Sequence, residues 1–217
     1  MKTSITSTNL ETHHGKEANR ILRNCVHCGF CNATCPTYQL LGDELDGPRG
    51  RIYLIKQMLE GQEVSTKTQL HLDRCLTCLN CQTTCPSGVE YGKLLDIGRE
   101  MMEQKVSRTL GERIKRRSLR AILPHAGRFN ALLSLAQGLR FLLPSSLKAQ
   151  IPPRRTMPHR HPQRTHPRRV LMLEGCVQPG LSPTINDATS KVLDTLGIEV
   201  ITAKGAGCCG ALSHHLS

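Results

Sequence analysis

The feature that most constrains this chain is a pair of short segments with the same spacing of cysteines. Residues 25–36 and 75–86 both follow the pattern C-x2-C-x2-C-x3-C-P. Two copies of a four-cysteine frame, each closed by a proline, are hard to reach by chance, and they require a fold that gathers eight thiols. The cysteines are Cys25, Cys28, Cys31 and Cys35 in the first frame, and Cys75, Cys78, Cys81 and Cys85 in the second.

The total cysteine count bears on the compartment in which the chain folds. The chain has 217 residues and eleven cysteines, a count that would suggest disulfides in a secreted protein. However, the first sixteen residues lack the apolar stretch of a signal peptide, so we expect a cytoplasmic protein. An odd number of closely spaced cysteines in a reducing compartment indicates metal or redox chemistry instead.

The spacing within each frame is typical of bacterial ferredoxins that hold two [4Fe–4S] clusters. Three thiolates two residues apart wrap a tight backbone turn around one face of a cluster. The fourth cysteine points away and binds the other cluster, so we expect the frames to exchange their last ligands. Zinc is the alternative for an isolated C-x2-C pair. The predicted ligand sets are Cys25, Cys28, Cys31 and Cys85 for one cluster, and Cys75, Cys78, Cys81 and Cys35 for the other.

The segment between the frames is too long for a bare loop, and its pattern predicts helices. Residues 46–51 indicate a helix start with Pro48 in the first turn, and apolar residues then recur at helical spacing up to a stop at Gly61. Further helices are predicted at 66–74 and 89–104. We therefore predict a helical ferredoxin domain over residues 17–104. Cluster binding contributes to its folding, because aromatic residues make up only 3% of the chain.

Two details of this domain leave alternatives open. His27 lies inside the first frame, where it could donate a hydrogen bond to a cluster sulfur or be an exposed loop histidine. Gly47, Arg49, Gly50 and Arg51 could offset the negative charge of the clusters or contribute to a partner surface. They could equally form a solvated helix N-terminus with flexible glycines.

The net charge of +12 is concentrated in the middle of the chain. Residues 105–169 contain sixteen Lys and Arg and one acidic residue, Glu112. A basic helix over 105–128 precedes an apolar-faced helix over 129–143, which suits packing on the ferredoxin domain or another subunit, or a membrane surface. With the prolines that follow, we predict a basic helical and proline-rich linker over 105–168. We expect no nucleic-acid partner, because stacking aromatics and a groove-reading element are missing from the sequence.

The last part of the chain has a βαβ pattern, which makes the predicted fold class α+β. Residues 169–174 predict a short buried strand, residues 183–196 a helix and residues 198–202 a second strand. Cysteines follow both strands, where ligand sites of α/β proteins tend to lie. An additional thiolate site or buried structural cysteines are the two alternatives for Cys176, Cys208 and Cys209.

Taken together, these segments resemble the glycolate oxidase iron–sulfur subunits, in a wider group with cysteine-rich CCG modules. The resemblance is carried by the two frames and by residues 46–52, 174–179 and 207–215. That wider group includes iron–sulfur subunits of anaerobic glycerol-3-phosphate dehydrogenase, lactate-utilisation proteins and heterodisulfide reductase subunits. Members of the family are about twice this length and have two complete CCG modules. The resemblance therefore implies that this chain corresponds to the N-terminal half and that residues 169–217 are a truncated module.

The resemblance also implies a function. A partner subunit containing FAD would oxidise glycolate or D-lactate to glyoxylate or pyruvate. This chain would relay the electrons through two [4Fe–4S] clusters to a quinone or other membrane acceptor, at the cytoplasmic face of the inner membrane. We expect FAD only on the partner, and no catalytic residues in this chain, because it has no dinucleotide fingerprint or acid–base constellation. The alternatives are the related complexes and, remotely, a zinc-dependent nucleic-acid-binding module.

Overall fold

The computed structural model describes residues 1–153, 165–203 and 205–216. Its contacts divide the chain into two compact units, Met1–Arg108 and Thr109–Ser217. Both units are mainly helical and the second adds a small sheet, which confirms the predicted α+β class. The boundaries at 17–104, 105–168 and 169–217 stay predictions. Part of the predicted proline-rich linker, residues 154–164, lies outside the described residues.

The first unit, every residue of which is described, contains helices and no strand. Helices α5, α6 and α8 lie within two residues of the predicted bounds, whereas α1 and α2 have no counterpart in the prediction. The helices are α1 (Ser7–Glu11), α2 (His13–Asn24), α3 (Phe30–Ala33), α4 (Pro36–Leu41), α5 (Pro48–Leu59), α6 (Thr66–Asp73), α7 (Asn80–Thr83) and α8 (Tyr91–Lys105), with a 3-10 turn at Glu44–Asp46.

The core of this unit lies between helices α2, α5, α6 and α8. Each presents one apolar stripe inward, and fully buried examples are Ile21, Ile55 and Leu72. Two cysteines of the frames, Cys25 and Cys81, belong to the same buried cluster. The frames are therefore built on the core of the unit.

The second unit begins with helices and ends with a parallel pair of strands. Arg168 lies opposite Ile198 and Met172 lies opposite Thr202, with helices between the strands in sequence, so the predicted βαβ order is present. The elements are α9 (Leu110–Ile122), α10 (Ala126–Gly138), a 3-10 turn at Arg140–Leu142, α11 (Ser145–Gln150), β1 (Arg168–Met172), α12 (Gln178–Leu181), α13 (Thr184–Thr195), β2 (Ile198–Thr202) and α14 (Ala211–Leu216).

The prediction that the first strand is buried is wrong. The first four residues of β1 are exposed, and Leu171 is 64% exposed. A parallel strand is normally covered by helices on both faces of its sheet, whereas here α13 packs on β2. The apolar side chains of Leu132 and Leu135 on α10, and of Leu139 directly after it, are also exposed.

Across the described ranges, we find no helix that combines the length and the apolar character needed to cross a membrane.

Candidate iron–sulfur site

The two cysteine frames have the same backbone course. The first frame starts directly after α2 and the second starts two residues after the last residue of α6. In each frame the backbone N–H of the first cysteine donates a hydrogen bond to the carbonyl three residues earlier. The distance is 3.1 Å from Cys25 N to Leu22 O and 3.3 Å from Cys75 N to Leu72 O. The third cysteine of each frame then lies on a short helix, α3 or α7, and the fourth precedes the proline.

Both frames contain left-handed backbone at equivalent positions, two and four residues after the first cysteine. For residues other than glycine this conformation costs about 1–3 kcal/mol, and it persists where the surrounding structure demands it. Left-handed residues in such turns aim successive amide groups into a concave nest, which suits an anionic centre such as an iron–sulfur cluster. The residues are His27 (φ 62°), Gly29 (φ 89°), Thr77 (φ 54°) and Leu79 (φ 60°).

The thiols of the two frames gather in two cavities, and each cavity is lined by three cysteines of one frame and the last cysteine of the other. An exchange of last ligands between the frames requires such a grouping. Cys81 lines both cavities. The first cavity is lined by Cys25, Cys28, Cys31 and Cys85 together with Cys81, and the second by Cys75, Cys78, Cys81 and Cys35.

Burial raises the pKa of three of the thiols that line the cavities, those of Cys25, Cys31 and Cys81, so these resist ionisation in the absence of a cation. Burial raises the pKa of Cys31 to about 11, and the neighbouring Cys25 and Cys85 add to the rise. Burial likewise raises the pKa of Cys81 to about 12, with Cys75 as the next cause. Four converging thiolates repel one another, and a bound metal centre removes that repulsion. The donor set therefore fits an iron–sulfur cluster.

Two arginines at the start of α5 serve different cavities. Arg49 lines the first cavity, is 34% exposed, and donates from Nε to Glu44 Oε1 over 2.6 Å. Arg51 lines the second cavity and is completely buried. It donates from Nε to the His71 carbonyl over 2.7 Å and from Nη1 to Thr37 Oγ1 over 3.1 Å. The hypothesis of a solvated helix N-terminus is therefore wrong for Arg51.

The buried carboxylate of Asp46 joins the segments around the second cavity. Its Oδ2 accepts a hydrogen bond from Arg74 Nη1 at 2.7 Å, and its Oδ1 lies 3.0 Å from His71 Nδ1 and 3.5 Å from Arg51 Nη2. Although burial raises the pKa of Asp46, the hydrogen bonds from His71 and Arg74 hold it below its ordinary value. This role of Asp46 was not predicted, and its only signal in the sequence is an acidic residue just before the start of a helix.

Two residues of α8 fix the second frame and were also missed. The buried hydroxyl of Tyr91 donates to Cys75 Sγ over 3.6 Å, and burial raises the pKa of Tyr91 well above its ordinary value, so it stays protonated. Arg99 donates from Nη2 to the Cys75 carbonyl over 2.8 Å and from Nη1 to Thr77 Oγ1 over 3.2 Å. Polar residues within the predicted helix were the only sequence signal.

Each of the two cavities is lined by a residue with a buried polar atom that has no hydrogen-bond partner. Among the described residues, Nδ1 of His27 and Nη2 of Arg51 are buried without a hydrogen-bond partner. His27 lines the first cavity and Arg51 the second. His27 is half-buried, and the centre of its ring lies 6.2 Å from the centre of the Tyr53 ring. The hypothesis of an exposed loop histidine is therefore wrong. Buried polar atoms without a partner are rare, and here each belongs to a residue that lines one of the two cysteine-lined cavities.

The three C-terminal cysteines belong to the second unit. Partial burial raises the pKa of Cys176, and the neighbouring Cys208 raises it further. The amide of Gly210 donates to Cys208 Sγ over 3.4 Å, whereas Cys209 is exposed. An additional thiolate site at these residues stays a prediction.

Comparison with protein families defines the class of this chain. Residues 21–89 match the model of a 4Fe-4S dicluster domain, and residues 170–216 match the model of a cysteine-rich domain. The chain therefore combines an iron–sulfur domain with a cysteine-rich domain, and the predicted iron–sulfur cofactor is confirmed.

Individual relatives make the resemblance more specific. Over its full 217 residues the chain is 59% identical to the "Glycolate oxidase iron-sulfur subunit" of Escherichia coli (strain K12), of which it covers 53%. It is 33% identical over 223 residues to the "Probable glycolate oxidase iron-sulfur subunit" of Bacillus subtilis (strain 168), covering 89% of this chain and 50% of the relative. The predicted resemblance is confirmed, and the chain spans about half the length of these curated relatives.

A more distant similarity covers less of the chain. Over 92 residues, 39% of this chain and 36% of the relative, it is 29% identical to the "Succinate dehydrogenase iron-sulfur subunit" of Paracoccus denitrificans. No solved structure gives a significant match.

Proposed function

We propose that this chain is the electron-transfer subunit of a glycolate oxidase or dehydrogenase complex and carries two [4Fe–4S] clusters. Such clusters supply one-electron redox chemistry at potentials set by their surroundings. Cys25, Cys28, Cys31 and Cys85 would hold one cluster, and Cys75, Cys78, Cys81 and Cys35 the other. The observation that supports the proposal is the pair of cysteine-lined cavities, each of which includes three cysteines of one frame and the last cysteine of the other.

The resemblance to the glycolate oxidase subunits supports a partner that contains FAD. Oxidation of a 2-hydroxy acid to the oxo acid releases two electrons and two protons, and a flavin can accept the pair and pass the electrons on singly. This chain would receive them and pass them to a quinone or other membrane acceptor. Both cavities reach the surface beside exposed apolar side chains, Val26 and Phe30 at the first and Leu76 at the second, where redox partners can approach.

Anaerobic reconstitution tests the cofactor content. The full chain should bind about eight iron atoms and eight sulfides, four of each per cluster, and become brown. One or two zinc ions and a colourless protein would refute the proposal.

Four Cys→Ser variants test the ligand assignment. If the frames exchange their last ligands, Cys85→Ser should abolish the same electron paramagnetic resonance (EPR) signal as Cys28→Ser. Cys35→Ser should abolish the same signal as Cys78→Ser. If each frame holds its own cluster, the pairs are reversed, with Cys35 grouping with Cys28, and the assignment is wrong.

The donor is tested on the complex with its flavoprotein. Glycolate, D-lactate and glycerol 3-phosphate are added separately under anaerobic conditions, and bleaching of the cluster absorbance is followed. We expect glycolate to reduce the clusters fastest. Rapid reduction by glycerol 3-phosphate alone would instead assign the chain to one of the related complexes.

A further inference from the structure

The buried guanidinium of Arg51 has one hydrogen-bonding group to spare. Its Nε and Nη1 groups are engaged by the His71 carbonyl and Thr37 Oγ1. Its Nη2 group has no hydrogen-bond partner among the described residues, although it lies 3.5 Å from Asp46 Oδ1. That carboxylate already binds Arg74 and His71 more closely, at 2.7 and 3.0 Å.

The position of this group makes it useful to an anion in the second cavity. Arg51 lines that cavity together with the four cysteines Cys35, Cys75, Cys78 and Cys81. A guanidinium buried without a full set of acceptors is costly, and an anion close by offsets that cost. With four thiolate ligands, a [4Fe–4S] cluster carries a charge of 2−, and one-electron reduction takes it to 3−. The charge and the spare donor of Arg51 therefore favour the reduced state.

Tyr91 supplies a second donor to the same cavity. Its hydroxyl is buried and donates to Cys75 Sγ over 3.6 Å. A hydrogen bond to a ligand sulfur stabilises the added negative charge of the reduced cluster, and hydrogen bonds to sulfur are among the determinants of cluster potential. Arg51 and Tyr91 thus act in the same direction on the same cluster.

We propose that Arg51 and Tyr91 set the reduction potential of the cluster held by Cys35, Cys75, Cys78 and Cys81, and raise it. Both are positioning residues for that cluster and not its ligands. The proposal rests on the ligand assignment given above. Arg49 provides the matched contrast, since it lies two residues away on the same helix, is partly exposed and pairs with Glu44. Solvent and Glu44 screen its charge, so we expect it to influence the potentials much less.

The test uses the reconstituted full chain and redox titration followed by EPR. The variants are Arg51→Gln, Arg51→Lys, Tyr91→Phe and Arg49→Gln, and the cluster in question is identified as the signal that Cys78→Ser abolishes. In Arg51→Gln and Tyr91→Phe that signal should titrate at a lower potential. At a fixed potential, the ratio of reduced to oxidised cluster should fall about tenfold. This corresponds to a midpoint potential lower by about 59 mV for a one-electron couple. In Arg51→Lys, which keeps the charge, the midpoint potential should shift less. The midpoint potential of the other cluster's EPR signal should not change in these variants.

The outcomes separate this proposal from the ligand assignment. If Cys35→Ser and Cys78→Ser abolish different signals, the assignment fails. If they abolish the same signal but its potential is unchanged in Tyr91→Phe and Arg51→Gln at full iron content, only the present proposal fails. An equal shift in Arg49→Gln would also overturn it. Tyr91→Phe removes only the hydroxyl and keeps the aromatic ring in the core. It therefore tests the proposed effect on the reduction potential even if Arg51→Gln does not fold.

Discussion

Replacement of Asp46 by Asn should destabilise the first unit more than any other single change of one carboxylate to an amide. Asp46 is completely buried, and Arg51 beside it is completely buried as well. The Asn side chain has nearly the same size, so packing is conserved while the negative charge is lost. Arg51, Arg74 and His71 then lose the carboxylate that they share, and the cluster beside Arg51 offsets only part of that loss.

The magnitude follows from these contacts. Removal of one member of a buried ion pair costs about 3–5 kcal/mol, because the remaining charge is left uncompensated. We expect the lower end, about 3 kcal/mol, because the amide oxygen of Asn still accepts one hydrogen bond and Arg74 is partly exposed and can be hydrated. With a slope of about 2 kcal/mol per molar urea, the unfolding midpoint should fall by about 1.5 M.

The ionisation state of Asp46 fixes the conditions of the assay. Burial raises its pKa, but the hydrogen bonds from His71 and Arg74 outweigh burial and lower it. The stabilisation is therefore fully present above the ordinary pKa of aspartate, about 3.9, and is lost as the pH falls through the lower native pKa. Measurement at neutral pH captures all of it.

The assay is anaerobic urea unfolding of the reconstituted chain, followed by circular dichroism and by the cluster absorbance, which reports on the first unit. Asp43→Asn is the control, because Asp43 is exposed and accepts a hydrogen bond from Leu45 N over 2.9 Å, as Asn would. Its carboxylate also lies within 4.8 Å of ligand atoms of Asp46 and His71, so the two variants compare an exposed and a buried carboxylate of one cluster. The control should stay within about 0.5 kcal/mol of the unsubstituted chain. A similarly small change in Asp46→Asn would refute the reasoning, since the charge of Arg51 would then be balanced elsewhere.

Three further predictions concern two glycines and an ion pair. Gly98→Ala should destabilise the first unit by about 1 kcal/mol in the same assay, because the new methyl group would lie 2.7 Å from Ile55 Cγ1 and the cost of overpacking exceeds the gain in helix propensity. Gly111→Ala, on an exposed turn of α9 with open space around it, should instead stabilise by up to about 1 kcal/mol in thermal unfolding, and a loss of stability there would contradict the argument. Arg108→Gln should cost about 2–3 kcal/mol, because the nearly buried Arg108 donates to both oxygens of Asp73 over 2.6 and 2.9 Å; a midpoint unchanged in urea would show that the pair contributes nothing.

The long helices of the first unit were predictable because their apolar residues recur at helical spacing and a glycine or proline marks the ends. Helix α5 begins at Pro48 and ends two residues before Gly61, whose φ of 85° turns the chain away. The exposure of β1 was not predictable in the same way. An apolar run indicates a strand, but whether helices cover the strand depends on the number of elements packed on the sheet.

The cysteines of the candidate site could be predicted because ligand spacing is local. Each frame specifies one turn of backbone. The two turns have the same form, with left-handed residues at matching positions. The residues that surround the thiols could not be predicted, because they come from distant segments. Tyr91 and Arg99 reach the second frame from α8, and Asp46 at the end of a 3-10 turn binds Arg74 just before that frame. Their side chains give no periodic signal.

The segment 46–51 shows how one short motif can serve both cavities. Successive residues of an α-helix are rotated by about 100°, so two residues that are two positions apart project to nearly opposite sides. Arg49 therefore lines the first cavity while Arg51 lines the second. Gly50 between them must be small, because a side-chain carbon there would lie 2.1 Å from the Glu44 carbonyl oxygen. The motif thus gives each cysteine-lined cavity a different charge environment, since Arg49 is screened by solvent and Glu44 whereas Arg51 is fully buried. The two clusters that such cavities would hold should consequently differ in potential, although their cysteine frames are alike.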